Sequence, residues 1–269
     1  MTLLSDLRTG ILLARRARYI STSLWLLLAI LGLALMAAQF SGRQPATVAL
    51  DVGLSAIKLF LPLLIILLAQ ELLSREFDRK YYLTSLTYPR PRHWLLLGRL
   101  SAILLLVYSA MLVMAIALAW VTSRIAMGYE QATPVNLGST YWVTLAFIAI
   151  DLFVLTAFAG LLAITASTPS FVLIGTLGFM LISRSYSNII ALLERERFLL
   201  ENTDVYRQSL GLLDYLLPDL AALDVRMISL YGKFGLLPTD WAASLAANLA
   251  YGLALIILAI FFLQRKRFS

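Results

Sequence analysis

Six long apolar stretches constrain this chain more than any other feature. They cover residues 24–40, 52–73, 94–121, 141–166, 170 to about 185, and 241–263. A hydrocarbon core about 30 Å thick needs roughly 20 mostly apolar helical residues. Each stretch is therefore read as a membrane span. The second contains Pro62, which kinks or locally breaks it. The fifth is the shortest, turns polar at Ser183-Arg184-Ser185, and leaves a continuation through residues 188–191 open. Composition agrees with this reading. Hydrophobic residues make up 61% of the chain and charged residues 14%. A soluble domain is nearer 45–50% apolar and about 25% charged, because its surface must be covered by polar groups. A soluble enzyme, a disordered chain and a disulfide-stapled fold are excluded. The chain has no cysteine and a single histidine, His93, which removes thiolate chemistry, Cys-based metal sites and multi-His sites. The predicted fold is an all-α membrane protein with six transmembrane helices, a single transmembrane domain over residues 1–269.

Lys and Arg set the orientation. Arg8, Arg15, Arg16 and Arg18 precede the first span. Arg75, Arg79, Lys80, Arg90 and Arg92 lie between the second and third, with Arg99 just inside the third. Arg265, Lys266 and Arg267 follow the last. The loop after span one has only Arg43, and the loop after span three only Arg124. With six spans, the three basic segments fall on one side, which is the cytoplasm, so both termini are inside. This placement accounts for the net charge of +7 without nucleic acid as a partner. Residues 1–20 do not read as a cleavable signal peptide, because five more spans follow the first. Leu3, Leu4, Leu7, Ile11 and Leu12 recur at helical spacing among the arginines. They predict an amphipathic helix on the cytoplasmic lipid surface, the alternative being a plain basic leader.

The connection between spans two and three is too long and too patterned for a minimal turn. Residues 74–87 contain no Gly or Pro and can be helical. Phe77, Tyr81, Tyr82, Leu86 and Tyr88 supply aromatic and apolar surface, Asp78 and Arg79 a wet face, and Pro89 and Pro91 end the helix. Such a surface suits protein docking or contact with lipid headgroups, and the pattern leaves both readings open. Arg75-Glu76-Phe77-Asp78-Arg79 opens this stretch, Pro89 and Arg92 form a Pro-x-x-Arg, and Gly98-Arg99 follows inside span three. Together these resemble the signature of ABC-2 type transporter permeases, although Lys80-Tyr81 stands where that family often has Gly-Thr or Arg-Thr. The resemblance implies that the loop 74–92 holds a coupling helix seated in a cytoplasmic ATPase subunit. Glu76, Phe77, Asp78, Arg79, Tyr81, Tyr82, Leu86, Pro89 and Arg92 would then be its ATPase-coupling residues.

A second motif precedes the last span. Tyr215-Leu216-Leu217-Pro218-Asp219-Leu220 and Leu223-Asp224-Val225-Arg226 resemble a pattern in the permease subgroup associated with multicopper-enzyme maturation, to which the permease for nitrous-oxide reductase assembly belongs. The basic end Gln264-Arg265-Lys266-Arg267-Phe268 also fits. Residues 184–240 are extracytoplasmic by topology and mix acidic, basic and leucine residues, which predicts amphipathic helices on the outer surface. This region is read as an external gate, as a docking site for a periplasmic partner, or as a structural lid.

Polar residues inside spans are the remaining candidates. Asp151 falls near the bilayer centre, where an ionised carboxylate must be hydrated, paired or neutralised. It is either a translocation-path group or a buried acceptor for Ser, Thr or Tyr on a neighbouring helix. Arg99 and Lys58 are expected to snorkel, Lys58 toward the outer surface, and a Glu71–Arg99 pair is within reach. Ala246, Ala250 and Ala254 beside Ser244, Asn248 and Gly252 give span six a small-residue face, and Gly175 and Gly178 do the same in span five. Such faces permit close packing within the bundle or across a dimer.

The chain has no Gly-x-x-x-x-Gly-Lys-Ser/Thr loop and no His-Glu-x-x-His. His93 has no positioned partner, and no internal repeat is visible. No catalytic or metal site is expected, and the chain is not read as an enzyme. The resemblance places ATP on a separate ATPase and no cofactor on this chain. It implies a multi-pass permease of the bacterial inner membrane, an exporter pairing with a second copy or a paralogue. The alternative is a non-transporting scaffold that recruits a periplasmic partner through residues 194–240. Lipid, glycan, peptide, drug and a metalloenzyme maturation factor all remain open as cargo.

Overall fold

The computed structural model describes residues 3–75, 92–128, 135–166, 168–196 and 217–265. Its long elements are helices, and no strand occurs among the described residues. They are α1 (Leu3–Arg16), α2 (Tyr19–Phe40), α3 (Pro45–Ala69), α4 (Arg92–Gly128), α5 (Ser139–Thr165), α6 (Pro169–Glu196), α7 (Arg226–Tyr231) and α8 (Trp241–Arg265). A π-helical turn, Gln70–Ser74, extends α3.

Five helices are long and apolar enough to cross a membrane: α2, α3 with its π turn, α4 from His93, α5 and α8. The apolar part of α6, Pro169–Ser185, is shorter, although the helix itself runs on to Glu196. Two helices begin earlier than their apolar runs. α2 starts at Tyr19 after Arg18, whose left-handed backbone (φ 60°) breaks the chain sharply from α1. α3 starts at Pro45, a residue suited to the first helical turn because its missing N–H would be unpaired there anyway.

The helices α3 and α5 form the centre and are buried over most of their length, whereas α2 and α8 bury one stripe each. On α2 that stripe is Ile30, Ala34 and Ala38. On α8 it is Asn248, Gly252, Leu255, Ala259 and Leu263. The small-residue face expected on the last span is therefore divided. Asn248 and Gly252 turn inward, with Gly252 against the Phe153 ring, while Ala246, Ala250 and Ala254 face outward. Gly175 of α6 packs against Leu162, but Gly178 meets open space. Apolar helices gain little by leaving lipid, so close contact and interhelical hydrogen bonds hold such a bundle. The hydroxyls of Tyr141 and Tyr108 supply two of these bonds between α4 and α5, donating to the carbonyls of Ala115 (2.8 Å) and Ala149 (3.0 Å). Outward-facing Trp25, Met36, Phe40, Ile174, Leu181 and Ile257 give the bundle an apolar surface matched to lipid.

The expected amphipathic N-terminal helix is present, and its inner face is seated on protein. α1 packs on α4 and the π turn, with Ala14 fully buried. Two glycines allow the approach. A Cβ at Gly98 would lie 2.6 Å from the Asp6 Cβ, and one at Gly10 would lie 2.7 Å from the Ala102 Cβ. Arg99 is buried beneath this helix and directs one Nη toward the Asp6 carbonyl at 3.5 Å, so it does not snorkel. Glu71 pairs within its own helix with Arg75 at 2.6 Å. Neither contact atom can swing away, so Gly10→Ala is expected to cost about 1–3 kcal/mol. Adding Ala102→Gly should recover most of that loss in a thermal unfolding assay. No recovery would mean that α1 is not docked through this contact.

Candidate functional site

A chain of ion pairs runs from the middle of the bundle to the end that carries the α2–α3 turn and residues 217–240. Its inner end is Asp151 on α5, which is fully buried. Asp151 Oδ2 accepts from Arg184 Nη2 of α6 at 2.5 Å. The other Nη of Arg184 donates to the Lys58 carbonyl of α3 at 2.9 Å. That carbonyl is the one Pro62 leaves without a helical donor, since proline lacks the N–H that would reach back four residues. The guanidinium thus satisfies two buried acceptors on two helices. Asp151 Oδ1 and Arg184 Nε remain buried without a hydrogen-bond partner among the described residues.

The Lys58 side chain continues the chain. It is 7% exposed, and its Nζ lies 3.4 Å from Asp224 Oδ2. Asp224 Oδ1 accepts from Arg226 Nε at 2.7 Å. Arg226 Nη1 then donates to Asp51 Oδ1 at 3.1 Å and to the Ser55 hydroxyl, both on α3. Three acids and three bases are linked, so the group is neutral as a whole. Exposure rises along it from Asp151, which is fully buried, to Asp51, which is open to the surface. Most of these residues, with Asp219, Ala221, Ala222 and Met227, line an open cavity of about 830 Å³.

The segment before the last span supplies the outer wall of this cavity. In Leu223-Asp224-Val225-Arg226, apolar and charged residues alternate, which puts Leu223 and Val225 into the core and both charges on the cavity side. Leu220, Ile228 and Leu230 anchor the same segment. Asp219 organises its turn by accepting from the Ala221 and Ala222 amides at 3.0 and 3.1 Å, while its carbonyl takes the Asn248 amide of α8 at 3.2 Å. The Leu220 amide donates to the Ser183 carbonyl of α6 at 3.2 Å. Gly232, with a positive φ of 66°, ends α7 against Asn136. This stretch, read from the sequence as part of an outer surface region, is packed against α3, α5, α6 and α8.

Charge balance decides how it responds to acid. Burial alone would raise the Asp224 carboxyl, but the Arg226 hydrogen bond and the Lys58 charge outweigh it and hold the group below its ordinary value. Burial also works against Arg226, yet Asp224 and Asp51 raise it. A carboxylate depressed by folding stabilises the fold above its unfolded value and loses that contribution as pH falls through its folded value. The attachment of residues 217–231 should therefore be constant from neutral pH down to about 4 and weaken below. Amide exchange in α7 measures this, and Asp224→Asn should remove the acid step.

Asp151 was expected to be a path group or an acceptor for a neighbouring hydroxyl. Its partner is a guanidinium from α6 rather than a hydroxyl, and Ser183 and Arg184 of the polar break turn inward while Ser185 is exposed. The snorkelling expected of Lys58 is corrected as well. Because α3 begins at Pro45, Lys58 sits halfway along the helix, and Asp224 comes in to meet it. Two sequence signals were available: the proline four residues after Lys58, and the alternation in residues 223–226. Of the coupling residues, Glu76, Phe77, Asp78, Arg79, Tyr81, Tyr82, Leu86 and Pro89 lie outside the described residues, while Arg92 opens α4. The segment between them follows directly on the π turn, where Gln70 donates to the Pro169 carbonyl at 2.8 Å and ties α3 to the start of α6.

Residues 12–183, more than half of the chain, match the ABC-2 family transporter protein domain. The matched region runs from α1 into α6 and contains Asp51, Lys58 and Asp151, while Arg184, Asp224 and Arg226 lie beyond it. No curated protein is significantly similar to the chain. A helical bundle with five helices able to cross a membrane, matched over this span, identifies the chain as a multi-pass membrane protein of the ABC-2 transporter family.

Proposed function

We propose that the chain is the permease subunit of an ATP-driven exporter in the bacterial inner membrane, with ATP hydrolysed on a separate ATPase subunit. The family match over residues 12–183 carries this reading. In it α6 makes the sixth crossing, and the basic residues at 8–18, 75–92 and 265–267 face the cytoplasm. The loop 74–92 then meets the ATPase, and a second copy or a paralogue completes the transport unit. With this orientation the cavity lined by Lys58, Arg184, Asp224 and Arg226 opens toward the outer face, and Asp151, behind Arg184 and outside the lining, is the candidate residue of the translocation path. The maturation subgroup rests on Tyr215-Leu216-Leu217-Pro218-Asp219-Leu220 and Leu223-Asp224-Val225-Arg226, with the basic end 264–268. A scaffold would need residues 194–240 to face a partner, and the part from 217 to 231 is instead engaged with the bundle.

Affinity purification in mild detergent tests the reading. An ATPase bearing a phosphate loop is expected to co-purify with the wild-type chain and to be lost from the Phe77→Ala/Tyr81→Ala variant. A monodisperse wild-type protein without any ATPase would remove the permease assignment.

A further inference from the structure

A second cavity opens on an apolar side of the bundle and is lined by none of the ion-pair residues. It is a groove of about 330 Å³ between α2 and α4, lined by Tyr19, Ser23, Leu27, Ser109, Ala110 and Met114 among others. Its lips are apolar and open outward: Ile20, Leu24 and Val113 are each more than half exposed. The 22 residues of α2 span roughly 33 Å, close to the hydrocarbon thickness. Tyr19 opens α2, and the groove runs along the helix from it for about two turns to Leu27. Tyr19 is fixed there by its hydroxyl, which donates to the Leu106 carbonyl at 2.6 Å. One turn deeper, Ser23 Oγ lines the groove without a hydrogen-bond partner among the described residues.

Three cations precede Tyr19 in the sequence. Arg15, Arg16 and Arg18 are exposed and make no ion pair among the described residues. Arg18 adjoins Tyr19 of the groove, and Arg15 and Arg16 end α1, which is docked on α4, one of the two helices that form it. An apolar slot open to lipid, with cations at its headgroup end, matches an amphiphile carrying a negative head and an apolar tail. We propose that the groove between α2 and α4 is a phospholipid site, with an acyl chain between the helices and an anionic headgroup held by Arg15, Arg16 and Arg18.

This site needs only the membrane insertion of the bundle, so it stands or falls independently of transport. The test is native mass spectrometry of the full-length protein in detergent, titrated with phosphatidylglycerol or with phosphatidylcholine of the same chains. Wild type is expected to retain one phosphatidylglycerol in preference to phosphatidylcholine. Arg15→Gln/Arg16→Gln/Arg18→Gln should reduce that preference by about tenfold or more, since each such cation contributes measurably near an anionic headgroup. The corresponding triple Lys variant should keep it. Ala110→Phe fills the groove and leaves the arginines in place, so it should lose the retained lipid. Inorganic phosphate should not compete, because it lacks the tail. Equal retention of the two lipids by wild type, or an unchanged preference in the triple Gln variant, overturns the headgroup assignment. Unchanged retention in monodisperse Ala110→Phe overturns the groove. Should Ala110→Phe not be monodisperse, Ser23→Leu makes the same test from the opposite wall.

Discussion

Arg184→Ala is expected to destabilise the bundle by about 3–5 kcal/mol, the range for removing one partner of a buried ion pair. Three losses coincide at this position. Asp151 is fully buried and one of its oxygens already has no partner, so its carboxylate would lose its remaining ion-pair bond. The Lys58 carbonyl, left without a helical donor by Pro62, would be orphaned as well. The third is the packing of the arginine stem between α3 and α5. For a chain of this size the midpoint of thermal unfolding should fall by roughly 10 °C, measured on purified protein in mild detergent. Asp151→Leu combined with Arg184→Met removes both charges together and should recover the part of the loss due to the unpaired carboxylate, while the Lys58 carbonyl stays without a donor. A double variant as unstable as Arg184→Ala alone would show that shape at this site matters more than charge. A stable Arg184→Ala would remove the ion pair from the account altogether.

Reversing charge on the proposed coupling segment is expected to act in the opposite way, with little effect on stability and a large effect on function. Glu76→Lys, Asp78→Lys and Arg79→Glu each replace attraction with repulsion at a protein contact, which costs several kcal/mol and so reduces coupled transport about tenfold or more. Substitutions that leave buried groups and caps untouched usually change fold stability by no more than about 0.5 kcal/mol. The described residues on either side of the segment are tied into the bundle. The segment leaves α3 through the π turn, where Gln70 is bound to the start of α6 and Glu71 is paired with Arg75. It re-enters the bundle at the first turn of α4, on which α1 is docked. π turns are frequent at functional sites, where they interrupt the regular hydrogen-bond ladder. Thermal midpoints and ATP-driven transport should be measured on the same preparations. Unchanged transport in all three variants would take the coupling role away from these residues, and a matching fall in midpoint would make the effect a folding defect.

The helical membrane architecture was legible in the sequence because it rests on a one-dimensional property. A long apolar run has no stable place in water, and in lipid its backbone can be satisfied locally only as a helix. The same local logic reached the amphipathic N-terminal helix, the weak fifth stretch and the unusual position of Asp151. Helix starts were less legible, because Pro45 and Tyr19 precede the apolar runs, and a first-turn proline and the left-handed break at Arg18 mark them rather than hydropathy.

What only the tertiary structure decided is which charges meet. Asp151 and Arg184 are 33 residues apart, and Arg226 lies 175 residues from Asp51, so no local spacing could join them. Lys58 looked free to reach the surface because snorkelling is the usual outcome for a lysine near the end of a span. It stays inside because residues 217–231, anchored by Leu220, Val225 and Ile228, carry a carboxylate in to meet it. The sequence by itself determined that the chain crosses a membrane as helices, since burial of apolar runs needs no partner beyond lipid. The pairing of its buried charges needed the fold, because a buried charge is tolerated only where another element brings its counter-charge within a few ångströms.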